Sequence, residues 1–234
     1  MTGSSADVAV VTGASRGLGR ALSHSLVAAG WSVVVDARSA DDLVAATSHL
    51  SGPGQVLPVP GDVIDPQHRQ RLVEAAAGLG PVRLIVNNAS YLGPSPQPNL
   101  RDYPLDVLRH VYEVNTVAPL ALIQVFLPVM VEAGGVIINI TSDAGVEGYE
   151  GWGGYGSSKA ALEHLSRVLA AEQPHLKIYW VDPGDMNTQM QQEAFPGEDV
   201  SDRPPPEESV PGLLELAKGE LPSGRYQARS VGSQ

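Results

Sequence analysis

The sequence contains no cysteine. That absence removes a disulfide scaffold, thiolate zinc sites and a cysteine nucleophile together. It is also poor in basic residues: 15 Lys and Arg stand against 26 Asp and Glu, a formal charge of −11. Neutralising nucleic-acid phosphates takes clustered Lys and Arg, so no nucleic-acid partner is expected. Long apolar runs are missing as well. The most apolar stretch, Val117 to Val131, contains Pro119, Gln124 and Pro128 and falls short of the roughly 20 residues a membrane helix needs. The N-terminus, MTGSSADVAVVTG, has no basic region leading into an apolar stretch and a small-residue cleavage site. A cytoplasmic protein without a membrane partner is the expectation. The histidines, His24, His49, His68, His110, His164 and His175, show no metal-ligand spacing with carboxylates; surface or core roles suit them, and no metal is expected.

What is present suits one α/β domain over residues 1–234, with 43% hydrophobic and 18% charged residues. Short β-branched runs, near-continuously apolar, predict strands at Val8–Thr12, Ser32–Asp36, Val56–Val59, Leu84–Asn87, Val136–Ile140 and Lys177–Val181. Between them the pattern predicts helices over Leu18–Ala29, Asp41–Leu50, Gln67–Leu79, Leu105–Glu132 (with a break at Pro119) and Tyr155–Glu172. Repeated β-α-β order with short links implies a doubly wound parallel sheet. Residues 185–211 interrupt this regularity. The part from Gln189 to Pro211 is rich in proline and acids and reads as a loop or lid over a substrate.

The first strand runs into Thr12-Gly13-Ala14-Ser15-Arg16-Gly17-Leu18-Gly19 and then a helix. Glycines there let the backbone turn tightly and approach a pyrophosphate, while free N–H groups and the helix dipole attract its charge. The spacing G-x-x-x-G-x-G is neither the Walker loop nor the ordinary G-x-G-x-x-G. Farther on, Tyr155 and Lys159 stand four apart at the start of an amphipathic helix and share one face. A phenol titrating near 10 is a poor base at neutral pH, and an adjacent ammonium favours its phenolate.

These residues, together with Asn87-Asn88-Ala89, Ser142 and Pro183-Gly184, resemble the short-chain dehydrogenase/reductase family over nearly the whole chain. Two departures stand out: Ser90, where the family usually has Gly, and the short Pro-rich segment after Thr188. The resemblance implies a Rossmann-like fold and an NAD(P)-dependent oxidoreductase. Gly13, Ser15, Arg16, Gly17, Leu18 and Gly19 would then hold the pyrophosphate, Asp62 and Val63 the adenine, and Asn88 the ribose. Asn88 has the plainer alternative of tying strands together. Pro183 and Gly184 would pass beneath nicotinamide, and Thr188 would contact its carboxamide or a phosphate.

The choice of dinucleotide turns on the end of the second strand, Val35-Asp36-Ala37-Arg38. An acid at this end normally binds the adenosine ribose and repels a 2′-phosphate, so Asp36 invites NAD(H). In the resembled family the selecting acid usually lies one residue later, where this chain has Ala37 followed by Arg38. Arg38 and Arg16 could grip a 2′-phosphate between two guanidinium groups. NADP(H) is therefore the expected cofactor, with NAD(H) the alternative.

By the same resemblance, Tyr155 exchanges a proton with the substrate oxygen and Ser142 hydrogen-bonds it. Lys159 binds the nicotinamide ribose, and Asn115 holds a water that extends the proton relay. For Asn115 the alternative is an amide bonded to the backbone. Leu92, Gly93, Pro94, Val146, Tyr149, Trp152 and residues 186–195 are the expected pocket walls. Residues 193–220 carry eight acids against Arg203 and Lys218. With no basic cluster to hold an anionic carrier, a neutral ketone or aldehyde is the expected small-molecule substrate, with its alcohol as product. The apolar stripe Leu162, Leu165, Val168 and Leu169 suits core packing. Members of the resembled family often pair this helix between subunits, which implies a homodimer or homotetramer. Two competing readings are a catalytically idle dinucleotide-sensing regulator and an epimerase or dehydratase of the extended branch. The complete Ser142, Tyr155 and Lys159 set speaks against the first. Tighter glycine spacing and longer chains in the extended branch speak against the second.

Overall fold

The computed structural model describes residues 6–232. Residues 1–5 and 233–234, the two ends of the expected domain, lie outside the described residues. Seven strands form one sheet: β1 (Val8–Val11), β2 (Ser32–Val35), β3 (Gln55–Pro58), β4 (Val82–Asn87), β5 (Val136–Ile140), β6 (Lys177–Asp182) and β7 (Gly224–Gln227). All pairings are parallel, in the order β3-β2-β1-β4-β5-β6-β7. The connection leaves β1 toward β2 and later returns to β4 on its other side. That reversal opens a crevice at the strands' carboxyl ends.

Helices cover both faces: α1 (Gly17–Ala28), α2 (Ala40–Thr47), α3 (Pro66–Ala77), α4 (Leu105–Tyr112), α5 (Ala118–Ala133), α6 (Gly153–Glu172), α7 (Gln189–Ala194) and α8 (Val210–Ala217). One apolar cluster joins Leu22 and Leu26 of α1 with Leu213 and Leu216 of α8 across alternate strand residues. The other joins Leu72 of α3, Phe126 and Met130 of α5 and Leu169 of α6 over the opposite face. Val8–Val11 of β1 is buried on both faces for this reason.

Four expectations need correcting. β3 is an edge strand with alternating exposure, not a run covered on both faces. β7 is absent from the expected strands: Gly224-Arg225-Tyr226-Gln227 has no apolar run, and its pairing with β6 holds it. The long helix is interrupted by a π-helical turn at Glu113–Val117, upstream of Pro119. Pro119 itself falls in the first turn of α5, which continues the π-helical turn without leaving helical geometry at Val117, so its missing N–H leaves an upstream carbonyl without that partner. The combined run Leu105–Met130 is long and apolar enough to cross a membrane by length and composition, with half of its apolar window buried inside the protein. Finally, Gln189–Pro211 is not one loop: it contains α7, a 3₁₀ turn at Pro206–Ser209 and the start of α8. Two of its prolines open helices there: Pro206 and Pro211 occupy first-turn positions.

α6 begins before the expected Tyr155, at Gly153. A Cβ at Gly153 would lie 2.4 Å from Leu100, and one at Gly154 would lie 2.3 Å from the Tyr103 hydroxyl. The glycines therefore bring the helix start against these side chains and deliver Tyr155 to the crevice.

Candidate active site

The turn after β1 is built around close approaches. Gly13 adopts φ +68°, and a Cβ there would fall 2.8 Å from Ala89 Cα. A Cβ on Gly19 would fall 2.5 Å from both the Gly13 carbonyl oxygen and Asn88 Nδ2. Thr12 Oγ1 accepts the N–H groups of Asn88 and Ala89 at 3.0 Å each. Asn88 Nδ2 donates to the carbonyls of Thr12 (2.8 Å) and Gly13 (3.1 Å). Asn88 thus ties the loop to β4, the plainer of its two readings. α1 starts from Arg16 in extended conformation, without a side-chain cap and without an acid in its first turn. Its positive end is left for an anion. These features fit a dinucleotide pyrophosphate, which the backbone of Ser15, Arg16, Gly17 and Leu18 would meet.

Around the adenosine end, Arg38 is exposed beside the buried Ala37. Asp36 turns its carboxylate inward, onto the Gly13 N–H and His68, and is 1% exposed. Asp62 accepts the Ile64 N–H (3.1 Å), which shapes the turn that buries Val63. Arg16 reaches across to Gln189 at the start of α7, not to Arg38. Thr188 caps α7 by accepting the Gln191 N–H, and its methyl would lie 3.5 Å from a Cβ at Gly17. α7 is therefore tied to the glycine loop through Arg16 and Gln189, with Thr188 close to Gly17. Gly184 adopts φ +75° and gives its N–H to Asp182 (2.9 Å), while the Pro183 carbonyl accepts Ser209 Oγ (2.7 Å).

The polar groups expected to do chemistry lie at the ends of β5 and α6. Ser142 follows β5, with its hydroxyl donating to Asp143 Oδ1 (2.9 Å). Asp143 also accepts from Tyr149 (3.0 Å) and from the Ala144 N–H (2.8 Å). Tyr155 is buried against Leu92 and Ala144, with Trp152, Met190 and Ala194 packed on the same cluster. Trp152 stands edge-on to Tyr155, ring centroids 5.8 Å apart, and 5.8 Å from Phe195 on its other side. Of the expected walls, Leu92, Trp152 and Met190 belong to this cluster, whereas Val146 and Tyr149 are exposed. Gly93 is backed by the Tyr103 hydroxyl, 2.3 Å from where its Cβ would stand.

Lys159 is 1% exposed; its Nζ donates to the Ile140 carbonyl (2.8 Å) and lies 5.5 Å from the Tyr155 ring centroid. Burial alone draws its ammonium down to about 7. Burial also dominates at Tyr155, pushing the phenol up to about 12, partly opposed by a hydrogen bond with Ser90. Burial thus opposes the charged form of each group, the phenolate of Tyr155 and the ammonium of Lys159. Asn115 sits fully buried in the π-helical turn. Its Oδ1 accepts from Ser90 Oγ (3.1 Å) and the Tyr91 N–H (2.8 Å), and its Nδ2 donates to the Tyr91 carbonyl (2.9 Å) and Ser158 Oγ (3.0 Å). That is the backbone-bonded alternative, and it ties the segment after β4 to α6. Among the described residues no group of three or more His, Asp or Glu is arranged to hold a metal.

Sheet, crevice and glycine turn define the class as a doubly wound, dinucleotide-binding protein. A sequence profile of the short chain dehydrogenases matches residues 7–199, and the chain belongs to that family of oxidoreductases. It is similar to the short chain dehydrogenase asqE of Emericella nidulans, 38% identical over 173 residues, covering 70% of this chain and 64% of that relative. It is also similar to a rhamnolipid-biosynthesis 3-oxoacyl-acyl-carrier-protein reductase of Pseudomonas aeruginosa, 30% identical over 229 residues, covering 94% of this chain and 83% of the relative. Among solved structures, a short chain dehydrogenase of Shigella flexneri complexed with NADP aligns at a TM-score of 0.86 with 27% identity, covering 95% of this chain and 97% of that one.

Proposed function

We propose that the chain is an NADPH-dependent reductase of a neutral ketone or aldehyde. The observation that carries this reading is the burial of Tyr155 and Lys159 together at the crevice, one turn apart on α6. When bound, the dinucleotide supplies the hydride. Tyr155, held protonated by its burial, gives its phenolic proton to the substrate oxygen, as carbonyl reduction requires. Ser142 donates its hydroxyl hydrogen to the same oxygen, which means exchanging Asp143 for substrate. Lys159 holds the nicotinamide ribose. A relay water at Asn115 would use main-chain groups freed by the π-helical turn, because the side-chain amide is already engaged.

Support for NADP(H) comes from the exposed Arg16 and Arg38, from Ala37 at the selecting position and from the inward carboxylate of Asp36. Residues 185–211 act as a substrate lid. α7 brings Met190 and Ala194 onto Tyr155, and the exposed acids of the segment oppose an anionic carrier. The chain works as a homodimer or homotetramer; Val117 of the π-helical turn, Val125 and Val129 of α5 and Val168 of α6 are exposed apolar side chains that such an interface would cover.

NADPH oxidation against a panel of ketones, aldehydes and diketones tests this reading, with NADH in parallel. Turnover favouring NADPH is expected. A tenfold preference for NADH in kcat/KM would sink the cofactor choice. Tight NADPH binding with no consumption across the panel would favour the sensing regulator.

A further inference from the structure

Asp36 and His68 are buried together beneath the glycine loop, 1% and 0% exposed. Asp36 Oδ1 accepts the Gly13 N–H at 2.8 Å, and its Oδ2 lies 3.0 Å from His68 Nε2. On the other side of the ring, His68 Nδ1 lies 3.4 Å from Arg71 Nη2. A guanidinium only donates, so Nδ1 accepts and the ring hydrogen sits on Nε2, directed at the carboxylate. The ring needs space that the turn after β3 supplies: a Cβ on Gly61 would fall 2.2 Å from Nδ1. The main chain doubles the link, since the Asp36 carbonyl accepts the Ala14 N–H at 2.8 Å.

A carboxylate withdrawn from water this completely is costly unless it serves its donors. Its acceptors are divided between two elements: one oxygen grips the loop, the other grips α3. Gly13 is thereby held from both sides, by Asp36 at the end of β2 and by Ala89 beyond β4. We propose that Asp36 and His68 are a positioning pair for the phosphate loop. The imidazole steadies the carboxylate, Asp36 turns the N–H groups of Gly13 and Ala14 inward, and the N–H groups from Ser15 onward are left to face a dinucleotide pyrophosphate. This is a different task from ribose selection at the same strand end. It predicts equal consequences for both dinucleotides, because both carry the pyrophosphate. The inference rests on the cofactor reading of the crevice.

Calorimetric binding of NADPH and of NADH to wild type, His68→Leu and His68→Gln, each with its melting temperature, tests it without needing a substrate. His68→Leu should weaken both dinucleotides about tenfold, with their affinity ratio within twofold of wild type. His68→Gln, whose amide can still donate to Asp36, should stay within threefold of wild type for both. Amide exchange of Gly13 in the wild type should be slowed at least a hundredfold and should accelerate in His68→Leu. A folded His68→Leu that binds both dinucleotides as wild type does overturns the proposal. So does a selective loss of one dinucleotide, or a glutamine variant as weak as the leucine one. Should His68→Leu not fold, the glutamine variant and the wild-type exchange rate decide, and an unprotected Gly13 amide overturns the proposal. A wild type that binds neither dinucleotide refutes the cofactor reading along with it, whereas failure confined to the variants refutes the pair alone.

Discussion

Burying the Lys159 ammonium opposes folding, and the opposition has a pH signature. The side chain falls from its ordinary 10.5 to about 7 through desolvation, while the unfolded chain keeps the ordinary value. Between pH 7 and 10.5 the unfolded state therefore binds a proton that the folded state does not, and stability rises with pH across that window. From pH 6 to pH 9 the rise is about 2.5 kcal/mol, because the folded site sheds its proton near 7 while the unfolded side chain keeps its own. Lys159→Met keeps the approximate volume and removes the titrating group. Losing the bond to the Ile140 carbonyl displaces the variant by an amount that does not depend on pH. The stability of the methionine variant relative to wild type should thus be greatest at pH 6 and shrink by about 2.5 kcal/mol by pH 9. For a chain of this length that corresponds to about 5–10 °C in melting temperature. Urea unfolding of both cofactor-free proteins at pH 6, 7, 8 and 9 measures it, and differencing cancels the carboxylates and histidines they share. Tyr155, pushed up to about 12, stays protonated throughout. Two stability curves that run parallel from pH 6 to 9 would refute the reasoning, because the ammonium would then be solvated in the folded chain.

Tyr155→Phe should lower turnover about a thousandfold, within the range of lost general acid catalysis, while calorimetric NADPH affinity stays within threefold; near-normal turnover removes Tyr155 from the chemistry. Arg38→Ala should raise the NADPH KM at least tenfold and leave the NADH KM within twofold, and an equal shift in both would return Arg38 to the solvated surface. Asn115→Ala strips four hydrogen bonds from a fully buried site and leaves the Tyr91 N–H without its acceptor. Denaturant unfolding should show a loss of about 3 kcal/mol or more; a loss below about 1 kcal/mol would mean that the segment after β4 is not held by this amide.

The two features most legible in the sequence, the glycine turn and the Tyr155–Lys159 spacing, are local. Each depends on residues within one turn or one helix face, and so survives reading in one dimension. The features that escape such a reading depend on where distant atoms point. β7 carries no apolar run because β6 and its neighbours do the burying. The prolines of residues 189–211 read as loop markers, yet the same ring that ends a helix also opens one, and only position within the helix separates the two. Lys159 reads as an ammonium that activates a phenol. Spacing announces its nearness to Tyr155 but not its desolvation. His68 occupies a middle case: with Leu72 and Ala76 it forms the buried stripe of α3 at intervals of four, so its burial is readable. Its partner is not, being 32 residues away on another element. Asp36 makes that limit concrete. A carboxylate at the end of β2 reads as a ribose ligand when it points outward and as an anchor for Gly13 when it points inward. The inward orientation is held by a histidine on α3, with room made for it by the glycine at 61, so the task of Asp36 depends on residues that β2 and its flanks do not reveal.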